Sequence, residues 1–400
     1  MKPLRWLWLW ALLTGHVAAH AQPDSTAPPI ADTITADTTQ PERTSLWRVS
    51  GYVKYLNTIS IPTLAAVWAF DGQIHNRINL RYVPTGRLTA AASLRNRLFF
   101  GQSLTQNPLF LTQATQALDR LRLGGRLFGG PSVVLYSVFD RAYVDYRTDR
   151  WQVTAGKQRI NWAKSYVWNP NDLFNAYSFF DFDYEERPGS DALLIRRYTS
   201  TQSSVEVAGS LGRQGRAGTL AALYRFNSHQ TDGQVLLGLA DNSWVVGAGG
   251  AGQLGKAGIK GEATYFGPTA SRPGTLVADV SVDYTWPNTF TLRAEAMLNT
   301  QPPRAGTLAF LTQPVTARSL INNHVSVFGS VSYELTPLIV ASAGGIWNVD
   351  DGSYFANPSV NLNLTDNVEL LVTVQLLGGR GGSLFAGVGS FVFTRLKWSF

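Results

Sequence analysis

From Ser45 onward the chain alternates apolar and polar residues with a period of two, which is the period of a β-strand, and the alternation returns after every short break. In residues 275–286, Leu276, Ala278, Val280, Val282, Tyr284 and Trp286 share one face, while Asp279, Ser281 and Asp283 share the other. Pro287-Asn288 turns the chain. Residues 289–298 answer with Phe290, Leu292, Ala294, Ala296 and Leu298 on one face and Thr289, Thr291, Arg293 and Glu295 on the other. This is a hairpin with one apolar and one wet side. Similar pairs flank Pro84-Thr85-Gly86, Thr148-Asp149, Thr336-Pro337 and Asp366-Asn367, and these tight turns alternate with longer connections at 100–131, 161–189 and 299–318.

Short turns at one end and long loops at the other predict an all-β fold, a transmembrane antiparallel up-and-down β-barrel with long outer loops and short periplasmic turns. Counting segments gives about 16–18 strands, with 228–256 glycine-rich and ambiguous. A soluble sheet sandwich shares the alternation, but three features oppose it. The wet faces carry charge in mid-strand; Tyr82, Tyr146, Trp151, Tyr284, Trp286 and Tyr333 gather beside the tight turns as an interfacial girdle does; and a final strand over 391–400 sets Val392, Leu396, Trp398 and Phe400 against Arg395, Lys397 and Ser399. Trp398 and Phe400 are the expected signal for the barrel assembly machinery. Composition agrees: 15% charged residues is well below the ~25% of soluble chains. Beyond the N-terminus no apolar run approaches the ~20 residues of a spanning helix. Cysteine is absent, which excludes a disulfide framework and thiolate zinc.

Three regions follow. Residues 1–21 read as a signal peptide, with Lys2 and Arg5 before an apolar stretch and Ala19-His20-Ala21 at the cleavage site; 22–43 form an aperiodic Thr/Pro/Ser/Ala/Asp lead-in in the periplasm; and 44–400 form the barrel. Export and a net charge of only +7 argue against a nucleic-acid partner.

The blocks 151–162 (Trp-Gln-Val-Thr-Ala-Gly-Lys-Gln-Arg-Ile-Asn-Trp), 167–175 (Val-Trp-Asn-Pro-Asn-Asp-Leu-Phe-Asn) and 182–191 (Phe-Asp-Tyr-Glu-Glu-Arg-Pro-Gly-Ser-Asp), with the upstream hairpin 79–100, resemble an uncharacterised porin-like outer-membrane β-barrel family of Gram-negative bacteria. The resemblance covers residues 74–200 and implies a barrel in the cell outer membrane that admits solutes; it implies no substrate. Lys157 and Ala163 depart from the more usual Arg and Gly, and Lys157 lacks the bidentate fork of arginine.

Charge is unevenly spread. Between Arg77 and Arg159 lie twelve arginines and Lys157 against Asp119, Asp140, Asp145 and Asp149, a net +9. Parity in the first clear hairpin puts Arg77, Arg81, Arg87, Arg95 and Arg97 opposite the apolar face, so these, with Arg141, Lys157 and Arg159, are the expected pore-lining basic residues. Charge facing lipid near mid-bilayer costs ~2–4 kcal/mol. A two-residue turn at Thr148-Asp149 pairs Trp151 with Tyr146 and brings Lys157 opposite Asp140 on the lipid side; that conflict is removed either by a matched irregularity near Gly156 or by a place at the outer interface.

The third outer loop, 161–191, is acidic and aromatic, with Asp172, Asp181, Asp183, Glu185, Glu186 and Asp191 against Lys164 and Arg187. Such a loop is expected to bury its rings by folding into the barrel mouth, with 161–189 as a constriction whose acids face the arginine-rich wall; it resembles the third loop of general porins. A cap over the outer surface is the bland alternative. Calcium at Asp181-x-Asp183-x-Glu185 is disfavoured, because Glu186 stands where the calcium loop requires glycine.

Residues 324–326, His-Val-Ser, have the spacing of a barrel phospholipase. Parity, however, turns both His324 and Ser326 inward, away from lipid, and Val327-Phe328 follows where that family has Asn-Gly. An enzyme is therefore not expected, nor a cofactor or a metal, since His75 and His229 lack ligand spacing. The expected function is a porin-like channel for passive diffusion of small hydrophilic, preferentially anionic solutes. A non-conducting adhesion or assembly barrel is the alternative, and a lipid-active enzyme ranks below it. Expected partners are outer-membrane lipid and lipopolysaccharide, the assembly machinery and the solutes, with homo-oligomerisation left open.

Overall fold

In a computed structural model the described residues are 45–61, 68–106, 123–176, 189–212, 217–303 and 315–400. The signal peptide and lead-in lie outside them, as do Asp181, Asp183, Glu185, Glu186 and Arg187 of the expected constriction. In chain order the strands are β1 (Trp47–Ile61), β2 (Ala69–Thr85), β3 (Leu88–Gly101), β4 (Gly124–Gly129), β5 (Val133–Arg147), β6 (Trp151–Gln158) and β7 (Ser190–Ser200). Then come β8 (Ser203–Ser210), β9 (Thr219–Ser228), β10 (Thr231–Ala240), β11 (Ser243–Leu254), β12 (Ala257–Phe266) and β13 (Thr275–Thr285). The last are β14 (Thr291–Asn299), β15 (Val325–Thr336), β16 (Ile339–Asn348), β17 (Tyr354–Thr365), β18 (Val368–Gly378) and β19 (Ser390–Ser399).

Each strand pairs antiparallel with the next, β3 pairing with β5 past β4, and β1 pairs with both β2 and β19, which closes an eighteen-stranded up-and-down barrel to which β4 is an addition. Closure leaves no sheet edge to satisfy. The glycine-rich stretch that is ambiguous in sequence forms the regular hairpin β10–β11. Alternation maps onto the two faces as the sequence predicts: Val280 lies opposite Ala296, Val282 opposite Ala294 and Tyr284 opposite Leu292. Val280 is 53% exposed on the outer face, whereas Ser281 and Glu295 are buried on the inner one.

β4 is a loop strand. It pairs with the outer half of β5, beside which β6 is missing because the chain leaves the wall after Gln158. Two irregularities prepare that departure. Asp140 is an extra residue in β5, skipped where Ser93 pairs with Arg141 and Leu94 with Phe139. On β6, opposite Tyr143, Gly156 has φ +117°, and a Cβ there would lie 2.4 Å from the Ala142 carbonyl oxygen. Only glycine tolerates both conditions. Gly156→Ala is expected to destabilise the barrel by about 1–3 kcal/mol, read as a lower temperature of conversion of the heat-modifiable band.

The β5–β6 register corrects the sequence expectation by two residues: Tyr146 pairs with Val153, not Trp151. The cause is a turn longer than two residues, in which Thr148 N–H donates to the Trp151 carbonyl (2.7 Å) and the Thr148 hydroxyl accepts from Trp151 N–H (3.1 Å). A slip of two keeps every side chain on its face.

Candidate functional site: the lumen wall and the segment across it

Inward-facing side chains divide the lumen into two arcs. On β19, β1, β2, β3 and β5 they are basic. Lys397 lies directly across the ladder from Lys54, Lys54 from His75, and His75 from Arg97, while Arg77 pairs with Arg95 one step away. Neighbouring like charges are unfavourable unless counter-charge is supplied. The bulged Asp140 supplies part of it: its carboxylate accepts Arg77 Nη1 at 2.7 Å and Arg95 Nη2 at 3.0 Å. Tyr52 adds a ring within 5.3 Å of Lys54 Nζ and 5.4 Å of Lys397 Nζ, with its hydroxyl 3.3 Å from His75 Nε2.

The sequence-predicted basic residues do not all stand in this arc. Arg77, Arg95, Arg97 and Arg141 do, Arg141 opposite Ser93. Arg81 is on the same strand face but exposed near the turn. Arg87 corrects the expectation, since Gly86-Arg87 is itself the turn and Thr85 pairs with Leu88. Lys157 also differs from the expected partner: it is buried and bonded to Asp191 directly across β6–β7 (2.9 Å), whereas Asp140 belongs to the two arginines. Arg159 opens the segment that leaves the wall.

The second arc, β8 to β14, carries carboxylates (Glu206, Asp232, Glu262, Asp279, Asp283 and Glu295) among apolar residues such as Leu223, Leu236, Val245, Phe266, Val277 and Met297. Residues 159–176 lie against it. Trp162, Val167, Trp168 and Phe174 are buried in one hydrophobic cluster with that wall, and Trp162 meets Phe174 edge-on at 5.0 Å. Burying aromatic rings on a barrel's inner face is favourable only because that wall offers apolar partners.

Backbone amides fix the segment. Glu295 accepts three successive N–H groups, from Tyr166 (3.1 Å), Val167 (3.0 Å) and Trp168 (2.7 Å). Glu262 accepts those of Asn171 (3.0 Å) and Lys164. Successive amides converging on one carboxylate form an anion nest, and here the anions belong to the wall. Further bonds run from Trp162 Nε1 to Glu206 (3.0 Å), from Gln234 to the Trp162 carbonyl (2.8 Å), from Arg225 to the Asn161 carbonyl (2.7 Å) and from Thr264 to the Pro170 carbonyl (3.0 Å). The Tyr166 ring sits 3.8 Å from Lys260 Nζ and 5.3 Å from Arg293, and its hydroxyl donates to Asp283. Burial, then the bond to Asp283, push the Tyr166 phenol well above its ordinary pKa. Asp172 is buried and accepts the Asn175 N–H (3.3 Å).

Residues 159–176, Asp172 among them, rest on the acidic arc and not on the arginine-rich wall, whereas Asp181, Asp183, Glu185 and Glu186, the other acids expected to face the arginines, lie outside the described residues. The anchors Glu206, Gln234, Glu262, Thr264 and Glu295 were not singled out from sequence. Their only local signal is a polar residue at an inward position, and their partners stand up to 129 residues away.

The enzyme geometry is absent among the described residues. Ser326 is fully buried and its hydroxyl bonds to Asn348, whereas His324 precedes β15 at an exposed position and contacts Asp350 (3.1 Å). The inward placement that parity predicts therefore holds for Ser326 and fails for His324. Outside the lumen, Trp398 is exposed on the outer face of β19, and Phe400 follows it.

No protein-family model and no curated protein matches the sequence. Among solved structures, Acinetobacter baumannii OccAB4 is similar at 10% identity and a TM-score of 0.57, over 88% of this chain and 97% of that one. Pseudomonas aeruginosa OccK8 (OprE) is similar at 6% identity and 0.56, over 88% and 98%. Pseudomonas aeruginosa OccK11 (OpdR) is similar at 10% and 0.53, over 88% and 94%. At such identities the likeness speaks for fold alone, and it agrees with the strand order: the chain has the fold of the Occ and Opd porins of Gram-negative bacteria, an all-β, closed, eighteen-stranded antiparallel barrel.

Proposed function

We propose that this barrel is an outer-membrane channel for passive diffusion of small hydrophilic, preferentially anionic solutes. The carrying observation is the row Lys397, Lys54, His75, Arg97 on four neighbouring strands, backed by Arg77 and Arg95, on the inner face of a wall whose outer face is apolar. A lumen lined by one sign of charge concentrates counter-ions. The acidic arc opposes it less than its charge count suggests, because the carboxylates of Glu262 and Glu295 are turned onto the amides of 164–171.

The segment 159–176 supports a narrowed pore, since it lies inside a barrel otherwise wide enough for an open aqueous lumen. In this reading the acids Asp181, Asp183, Glu185 and Glu186 complete the constriction and supply the counter-charge that a row of cations requires. Lipopolysaccharide and the barrel assembly machinery, the latter through Trp398 and Phe400, are its proposed partners. Planar-bilayer recording tests the reading: the open pore is expected to prefer chloride over potassium in a salt gradient, and the preference to weaken as salt rises and the Debye length falls below about 10 Å. A cation-selective pore would overturn the anionic part, and a correctly inserted barrel without conductance would favour a plugged, non-conducting role.

A further inference from the structure

Three carboxylates meet on the inner face of β12, β13 and β14. Asp279 lies directly across the ladder from Glu262, and Ser281, the next inner residue of β13, lies directly across from Glu295. The two flanking acids are engaged by the segment above them: Glu262 accepts the N–H groups of Lys164 and Asn171, and Glu295 those of Tyr166, Val167 and Trp168. The middle one is not. Asp279 is 7% exposed, and neither of its oxygens has a hydrogen-bond partner among the described residues.

Two hydroxyls share that condition. Ser281 is 2% exposed and its Oγ is without a partner. Ser165 stands between the residues whose amides reach Glu262 and Glu295, so it faces Asp279, yet its buried Oγ completes no hydrogen bond. Like charges directly across a ladder are unfavourable, and a buried charge is stable when paired or when it coordinates a metal. The wall gives Asp279 no cation. Lys260, directly across from Ser281, holds its Nζ over the Tyr166 ring at 3.8 Å instead.

Four oxygens with free lone pairs, two of a carboxylate and two of hydroxyls, are the donors a hard cation takes. A proton on Asp279 would cancel its charge but give Ser281 nothing. The charge of the ion follows from the donors: only one carboxylate is disengaged, and among the described residues no three acidic or histidine side chains converge as in a carboxylate-rich calcium cage. We infer that Asp279, Ser281 and Ser165 bind an alkali-metal cation between β13 and the segment 159–176, where it neutralises the third carboxylate and holds the segment on the wall. The site needs only the seat of 159–176 on the acidic arc and is independent of which ions the pore prefers.

A ligand bound only by the folded seat stabilises it by mass action. Thermal unfolding of the purified barrel in non-ionic detergent, followed by tryptophan fluorescence, is compared in sodium, potassium and choline chloride at one ionic strength; choline is too large for the site. Unfolding is expected several degrees higher in sodium or potassium than in choline, with a saturable dependence on concentration. Asp279→Asn is expected to abolish the difference and to unfold in choline no earlier than the unsubstituted barrel, because the amide removes the charge that the cation serves. Ser281→Ala is expected to raise the half-saturating concentration severalfold. Broadening of the sodium NMR line by the unsubstituted barrel, reversed by potassium, reads binding directly and decides the matter with Ser281→Ala if Asp279→Asn does not fold. Identical unfolding in the three salts overturns the inference. So does a stability that follows pH and not the cation, which would put a proton on Asp279.

Discussion

Glu262→Ala combined with Glu295→Ala is expected to raise single-channel conductance, add open-channel noise and lower the thermal stability of the barrel. Glu295 alone receives three backbone N–H groups, and removing the acceptor leaves buried donors unsatisfied at about 1–3 kcal/mol each. Glu262 adds the Asn171 and Lys164 amides. Even if half of these donors find water, the anchorage lost is on the order of several kcal/mol. The segment then keeps only its ring packing and the bonds from Trp162, Gln234, Arg225 and Thr264. Glutamine at both positions, which keeps an acceptor oxygen and loses the charge, is expected to fall between. Recording in planar bilayers and heat-modifiability on gels give the two readouts; a correctly inserted double-alanine variant with native conductance and noise would mean that 159–176 does not set the pore.

Arg97→Glu with Arg141→Glu is expected to abolish or reverse chloride preference, because it changes the charge of the basic arc by four without touching the Asp140 clamp. The choice comes from the structure. Arg77 and Arg95 look equally suitable in sequence, yet both hold the buried Asp140. Replacing one of them by glutamate would place a second carboxylate beside Asp140 and disrupt a buried ion cluster, so a change in selectivity could not be separated from damage to the fold. Arg97 and Arg141 are half-buried on the inner face and line the same arc. Reversal potentials in a potassium chloride gradient measure the shift, and a selectivity unchanged by both substitutions would remove this arc from the selectivity mechanism.

Much of the architecture is legible in the chain. A period of two is a backbone property, and a barrel wall converts it directly into inside and outside, so Val280 and Ser281 take their faces whatever lies beyond the next strand. Turn chemistry located the short ends for the same reason. Where local chemistry differed from the expected pattern the reading slipped, as at Thr148, whose side-chain and main-chain bonds to Trp151 lengthen the turn and move the register by two. Arg87 slipped similarly: parity counts it as a strand residue, but the strand had already ended at Thr85.

Local order along the chain was enough for the strand count to within two, the two faces, the basic character of the wall between Arg77 and Arg159 and the burial demand of Trp162, Trp168 and Phe174. These depend on neighbours one to ten residues away. Tertiary structure alone decided that Asp140 serves Arg77 and Arg95 while Lys157 serves Asp191, that residues 159–176 rest on the acidic arc, and that Glu262 and Glu295 hold them there. Each of those contacts joins residues 34 to 129 positions apart. The acceptors meet backbone N–H groups, which every non-proline residue possesses, so no residue type in the segment announces its partner. Only closure of the wall, which brings β6 and β14 around one lumen, makes the pairing a matter of distance.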